Sequence, residues 1–320
     1  MSRPKLDCIA DRVLVTGANG FVGSGVLQRL AADGRRVAGA VRRPQIMHPL
    51  WVGGPTLAAD ADWRPLLDGA DVVVHTAARV HVMNEDAASA HDAHMLTNTH
   101  GTLALAAQAA TAGVKRFVFV STIKVMGESS VHPFRASDIP APSDPYSHSK
   151  LAAEQGLQEI GRASGMEWVI IRPPLVYGPG VGGNFATMMR WLRKPFPLPF
   201  GAIHNKRSLV ARDNLVDLIA SCIDHPAAAN RVLLVSDGED LSTTELLQRL
   251  AAAMGLRPWL LPIPAGVLMG LGAALGRRQV FERLCQNLQV DIEDTRQGLG
   301  WQPPVGVDRG LQLAAAGLRK

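Results

Sequence analysis

The string Val15-Thr16-Gly17-Ala18-Asn19-Gly20-Phe21-Val22-Gly23 constrains this chain more than any other feature. It follows the short apolar run 12–16, which reads as a strand, and opens a helical stretch that stops at Gly34. Gly17 permits a tight turn, Gly20 lets the backbone approach a pyrophosphate, and Gly23 lets the helix pack on the strand. The helix N-terminus then offers N–H groups and a positive dipole end to phosphates. Strand, glycine turn and helix together predict a dinucleotide site, with Asn19, Phe21 and Val22 in the same cofactor loop.

Short apolar strands continue to alternate with helices. Strands are expected at 36–41, weakly at 56–59, then at 71–77, 116–122 and 167–173. Helices are expected at 98–113 and 144–165, the second with Pro145 in its first turn. Helices between apolar strands imply a parallel sheet covered on both faces. The fold class is therefore α/β, a Rossmann-type doubly wound parallel sheet. After residue 174 Pro and Gly become frequent, which marks a smaller C-terminal lobe. The expected division is 10–177 for the dinucleotide-binding domain, with elements of 211–237 returning to it. Residues 178–210 and 238–320 then form the substrate-binding lobe.

A net charge of +5 over 320 residues, with no dense basic block, argues against nucleic-acid binding. Cys8, Cys222 and Cys285 show no paired spacing, so neither a disulfide framework nor a metal site is expected. A reducing, cytoplasmic compartment fits that usage. The N-terminus lacks a signal-peptide pattern. The most apolar segment, 260–276, is short for a span and carries Pro262 and Pro264. A buried or surface-lying helix is expected there, and no membrane span.

An NAD site usually carries an acidic residue at the end of the second strand, to accept from the ribose hydroxyls. Val41 stands there, followed by Arg42 and Arg43. Two guanidiniums where a 2′-phosphate would lie favour NADP, with NAD the alternative. Asp60, followed by Ala61, is placed to reach the adenine amino group.

Tyr146 and Lys150 are four apart on a helix and so share one face. A nearby ammonium favours the phenolate and would lower the phenol's pKa. Tyr146 can then exchange a proton with an alcohol or carbonyl while a nicotinamide exchanges hydride. Only two tyrosines, Tyr146 and Tyr177, occur in the chain, which makes a chance pair less common. Ser121 or Thr122, at a strand end, would supply a hydroxyl to the substrate oxygen; the plainer role for either is a turn cap.

In this order the pieces resemble the short-chain dehydrogenase/reductase superfamily, in its extended, nucleotide-sugar-modifying branch. They are 16–23, 75–78, 98–102, 121–127, 146–150, 172–180, 207–215 and 299–304, spread over nearly the whole chain. The resemblance implies Thr122 as the catalytic hydroxyl with Ser121 before it, Tyr146 as general acid/base and Lys150 as its partner on the nicotinamide ribose. It implies Ala77, Ala78, Asn98 and Pro173 around the cofactor. Asn184, Arg207 and, with a weaker match, Arg283 would hold the diphosphate of a UDP-sugar. It also implies a homodimer through helices near 87–112 and 144–164. Met126 replaces a tyrosine frequent in the branch, and Ser208 and Ala211 replace an Asp and a His.

The triad serves either 4-epimerisation of a UDP-hexose with retained NAD, or NADPH reduction of a 4-keto UDP-sugar. Ile123 and Lys124 stand where a dehydratase wants an acidic pair. Strings such as 121–128 and 198–210 look most like the polysaccharide-cluster 4-keto-sugar reductases. With Arg42 and Arg43, they put the reductase ahead of the epimerase at this stage. A non-catalytic dinucleotide-binding regulator is the third possibility, disfavoured by the intact Tyr146 and Lys150. Sugar specificity is expected from the loops after residue 178.

Overall fold

A computed structural model of the chain describes residues 12–43, 48–80, 87–276 and 278–317. Cys8 and the N-terminal segment lie outside the described residues. The strands are β1 (Arg12–Thr16), β2 (Arg36–Val41), β3 (Trp51–Gly53), β4 (Val72–His75), β5 (Arg116–Val120), β6 (Glu167–Arg172), β7 (Leu175–Tyr177), β8 (Arg207–Ala211), β9 (Arg231–Leu234) and β10 (Asp240–Leu241). Seven of them form one sheet in the order β3-β2-β1-β4-β5-β6-β9, parallel throughout. The order reverses direction between β1 and β4, and the crevice at that switch point is where open α/β sheets take ligands.

Residues of successive strands alternate between two cores, as the pleat dictates. Val13, Val15 and Val118 meet helices Phe21–Ala32 and Arg212–Asp224 on one face. Leu14, Phe117 and Phe119 meet helices Thr102–Thr111 and Pro145–Ser164 on the other. The layers explain why these strands read as nearly unbroken apolar runs. A second sheet, β10-β8-β7, carries its own core around Tyr177, Phe185, Leu209 and Leu247.

Two expectations need correction. The third strand lies at Trp51–Gly53 rather than 56–59. Pro55 interrupts the run, and Leu57 turns inward so that its backbone and side chain pack on Gly101, where a Cβ would sit 2.7 Å from Leu57 Cγ. The helix expected at 98–113 begins earlier and as a wider turn. Met95–Gly101 is π-helical before the α-helix Thr102–Thr111 takes over. Such turns recur at functional sites.

Arg116, 1% exposed at the start of β5, ties sheet to helix. Its Nη1 donates to the carbonyls of Cys222, Ile223 and His225 at 2.7, 3.0 and 3.0 Å, at the end of helix Arg212–Asp224. Its Nε and Nη2 reach Glu167 at 2.8 and 2.6 Å. A buried cation at a helix C-terminus satisfies orphan carbonyls and opposes the helix dipole. Arg116→Met keeps much of the stem but strips those carbonyls of their donor. Urea unfolding should show a loss of about 2–4 kcal/mol, and a variant as stable as the parent would remove this role from Arg116.

Candidate active site

The glycine turn closes as tightly as its composition allows. Gly17 has φ +67°, a left-handed conformation that glycine adopts freely. A Cβ there would stand 2.8 Å from the backbone nitrogen of Ala77. A Cβ on Gly23 would lie 2.2 Å from the Gly17 carbonyl oxygen and 2.6 Å from Thr76 Oγ1. Gly20 is the N-cap of helix Phe21–Ala32, and no side chain caps that helix start. The turn therefore leaves an open, positively polarised helix end at the switch point, which fits a pyrophosphate. Asn19 is exposed beside it, and the Phe21 ring packs under the Arg212 guanidinium at 5.6 Å. Val41 is buried at the end of β2, while Arg42 and Arg43 are exposed just beyond it. Asp60 is exposed and Ala61 buried after β3.

His75 sits beneath this turn at the end of β4. Its Nδ1 shares a hydrogen bond of 2.6 Å with Thr16 Oγ1, and its Nε2 one of 2.9 Å with Thr102 Oγ1. Complete burial, followed by the charge of Lys150, lowers its pKa to about 3. A neutral imidazole thus bridges the strand that enters the glycine turn and the helix behind it.

Helix Pro145–Ser164 starts on a capping box, in which Asp144 accepts from Ser147 N at 2.7 Å and Ser147 Oγ accepts from Asp144 N at 3.1 Å. Burial, the largest single effect, would raise the Asp144 carboxyl, but the hydrogen bond (2.6 Å) and charge of Lys124 together with the hydrogen bonds of Ser147 outweigh it and bring it to about 2. The next face of the helix carries Tyr146, Lys150 and Glu154 at four-residue steps. Tyr146 meets His94 edge-on, with ring centroids 5.8 Å apart. Burial, followed by the Asp144 charge, pushes its phenol up to about 12. This is opposite to the lowering expected from a neighbouring ammonium. The reason is where Lys150 goes: its Nζ donates to the Val120 carbonyl at 2.7 Å and lies 3.9 Å over the Phe119 ring. Burial lowers Lys150 to about 7, with Glu154 holding it up.

β5 ends at Val120, so Ser121 and Thr122 leave the sheet rather than extend it. Thr122 caps the short turn Ile123–Val125, its Oγ1 accepting from Lys124 N at 3.3 Å. Ser121 Oγ donates to Glu154, and Arg172 clasps the same carboxylate through Nη2 at 2.6 Å and Nε at 3.2 Å. Ser121, Glu154 and Arg172 are all buried. Pro173, next in the chain, accepts from Ile123 N at 2.9 Å. Asn98, in the π-helical turn, spends its amide on both backbone groups of Arg79 (2.7 and 2.9 Å) and on Ser149 Oγ (3.2 Å). It therefore pins the segment that follows Ala77 and Ala78 to the helix of Tyr146.

Farther out, Asn184 is exposed in the first turn of helix Gly183–Leu192. Arg207 Nη1 donates to the carbonyls of Arg283 and Gln286 at 2.8 and 3.1 Å. Burial, followed by the Arg283 charge, lowers its pKa. Arg283 itself pairs with Glu128 at 2.8 Å. Glu128 also meets Lys124 at 3.2 Å, so an ionic chain runs from Asp144, the cap of the Tyr146 helix, to Arg283, and Arg207 joins it through the Arg283 carbonyl.

Residues 13–235 match the model of the NAD dependent epimerase/dehydratase family. The chain belongs to that family. It is 44% identical to a UDP-glucose 4-epimerase of Vibrio cholerae, over 96% of this chain and 97% of that one. The solved structure of MoeE5 in complex with UDP-glucose and NAD superposes with a TM-score of 0.77 at 23% identity, covering 96% and 98% of the two chains. RMD from Pseudomonas aeruginosa complexed with NADPH gives 0.75 at 22%, covering 97% and 100%. At those identities the two structures establish the shared fold. Family membership makes this an NAD(P)-dependent enzyme, which sets aside the regulator.

Within the family frame, Glu154, Arg172 and His75 also support the site; His75 and Arg172 open the matching strings 75–78 and 172–180 but had no role there, and Glu154 lies in none of the strings. Glu154 continues the four-residue step of Tyr146 and Lys150, which was the available signal. His75 makes a pH prediction. Its folded pKa lies below the unfolded value, so as pH falls from 6.5 toward 3 only the unfolded chain takes the proton, and stability is lost. The slope from this one group approaches about 1.4 kcal/mol per pH unit. In urea melts at stepped pH, His75→Gln should lose stability less steeply than the parent over that window. Parallel curves would show that His75 does not drive the acid loss.

Proposed function

We propose that this enzyme is a 4-epimerase of a UDP-hexose that keeps NAD bound between turnovers. The observation that carries the reading is the end-to-end 44% identity to the Vibrio cholerae protein of that activity. It reverses the order expected from the sequence, where the strings 121–128 and 198–210 together with Arg42 and Arg43 put the 4-keto-sugar reductase first.

In this reading Tyr146 Oη takes the proton of the sugar O4 hydroxyl and later returns it. Thr122 Oγ1 hydrogen-bonds the same oxygen and fixes it beside the phenol. Lys150, held under β5 by the Val120 carbonyl, is placed as a donor for the nicotinamide ribose, and the positive charge of an oxidised nicotinamide beside the phenol would bring Tyr146 down from about 12. Gly17, Gly20 and Gly23 seat the pyrophosphate, with Asn19, Phe21, Val22, Ala77, Ala78 and Pro173 around the dinucleotide. A nicotinamide held there would supply the reversible hydride acceptor for carbon 4. The lobe of residues 178–210 and 238–320 holds the UDP-sugar, with Asn184, Arg207 and Arg283 toward its diphosphate. Guanidinium forks match paired phosphate oxygens, and Arg283 would exchange Glu128 for them.

A second reading, an NADPH-dependent reductase of a 4-keto UDP-sugar, is supported by buried Val41 and exposed Arg42 and Arg43. The two separate on purification and assay. The epimerase carries NAD through gel filtration and interconverts UDP-glucose and UDP-galactose with none added. The reductase emerges empty and consumes NADPH only with a 4-keto sugar, and Arg42→Ala then weakens NADP but not NAD. Tyr146→Phe should lower turnover by about 100-fold or more while cofactor affinity stays within about twofold of the parent. Retained turnover in that variant excludes Tyr146 as the acid/base.

A further inference from the structure

The segment 259–280 is not absorbed by the catalytic reading. Helix Ala265–Ala274 contains only apolar residues and glycine. It rests on the lobe core through Leu268, and Gly272 packs on Phe281. The opposite side is open. Val267, Leu271 and Leu275, at four-residue steps, are 52%, 51% and 68% exposed. Met269 and Val280 flank that stripe and are exposed as well. At its N-terminal approach, Trp259 (64% exposed) and Phe196 line one hollow with Lys194 and Arg257. Bridges from Leu198 to Leu260 and from Ala202 to Pro264 join that hollow to the start of the helix.

The exposed charges beside the hollow are cations. Arg193, Lys194 and Arg257 point to solvent. Arg278 is paired with Glu282 at 2.7 Å. The helix carries no charge of its own, and the exposed cations and aromatic rings of 193–196 and 257–259 supply the polar rim that an apolar face needs to lie at a lipid interface.

We infer that this face docks the enzyme onto an anionic lipid bilayer, with the stripe of Val267, Leu271 and Leu275 entering the headgroup boundary. Ten residues of helix span about 15 Å against a hydrocarbon core of about 30 Å, so the helix lies on the surface and does not cross it. Among the described residues no helix is long and apolar enough to cross a membrane. A second copy of the chain fits less well. A two-fold interface through this stripe would cover the apolar residues but bring no counter-charge to the exposed Arg193, Lys194 and Arg257. Anionic headgroups neutralise them instead, and Trp259 and Phe196 suit the depth where water gives way to acyl chain. Nucleic acid would leave the apolar stripe without a partner.

The inference is independent of the reaction, because binding is read without substrate. The full chain is floated with vesicles of phosphatidylcholine, or of phosphatidylcholine with phosphatidylglycerol. It should float with the anionic vesicles and stay down with the neutral ones, and added salt should weaken binding. Leu271→Glu with Leu275→Glu should cut binding at least about tenfold. Arg193→Glu with Lys194→Glu should remove most of the salt dependence. Both pairs are exposed, so each double variant should melt at the parent's temperature, and circular dichroism checks this. Absence of flotation with anionic vesicles overturns the inference, as does a Leu271/Leu275 variant that floats like the parent. Sedimentation equilibrium decides for the alternative occupant: a dimer that the leucine variant dissociates would assign the face to self-association instead.

Discussion

The site depends on one contact, the approach of Gly23 to the carbonyl of Gly17. A methyl group at Gly23 would lie 2.2 Å from that oxygen, well inside contact distance. Only the absence of a side chain lets the first helix start directly on the end of β1. From that closeness follow the direction of the helix axis, the exposure of its N-terminus at the switch point and the seat for a pyrophosphate. Thr76 and Ala77 press on the same turn from β4, and His75 ties it to the helix behind. The position of the cofactor is thus set by packing limits on a few backbone atoms.

The other half of the site is organised by buried charge. Lys150, Glu154 and Arg172 lie in a region with almost no water, and each charge has a partner. Glu154 meets Arg172 in a two-pronged contact and accepts from Ser121, so the chain that leaves β5 toward Thr122 is tied to the Tyr146 helix by an ionic anchor. Buried pairs of this kind contribute little net stability, but losing one partner is costly. That cost makes the local arrangement all-or-none, which suits the proposed site, where a hydroxyl and a phenol are to meet one sugar oxygen.

Much of this was legible in the sequence, and for local reasons. Strands at 12–16 and 36–41 agree residue for residue because both are buried on two faces and bounded by glycine or charge. Tyr146 and Lys150 were legible from helical spacing alone. Glu154 follows in the same series, but a glutamate on a helix ordinarily reads as solvated. Its burial is decided by Arg172 on a neighbouring strand. His75 depends on Thr16 and Thr102, which are distant in sequence. β3 escaped because three residues, ending in Gly53 and followed by Gly54 and Pro55, carry no period. The choice between epimerase and reductase also escaped local reading, since the same triad serves both, and the strings 121–128 and 198–210 with Arg42 and Arg43 pointed one way while the end-to-end 44% identity pointed the other.

The central claim is that hydride leaves and returns to carbon 4 within one closed site. UDP-glucose carrying deuterium at that carbon, incubated with the purified enzyme in ordinary water and followed by NMR, tests it directly. The label should remain on carbon 4 of both UDP-glucose and UDP-galactose at equilibrium. Loss of the label to solvent, or no conversion at all, would contradict it.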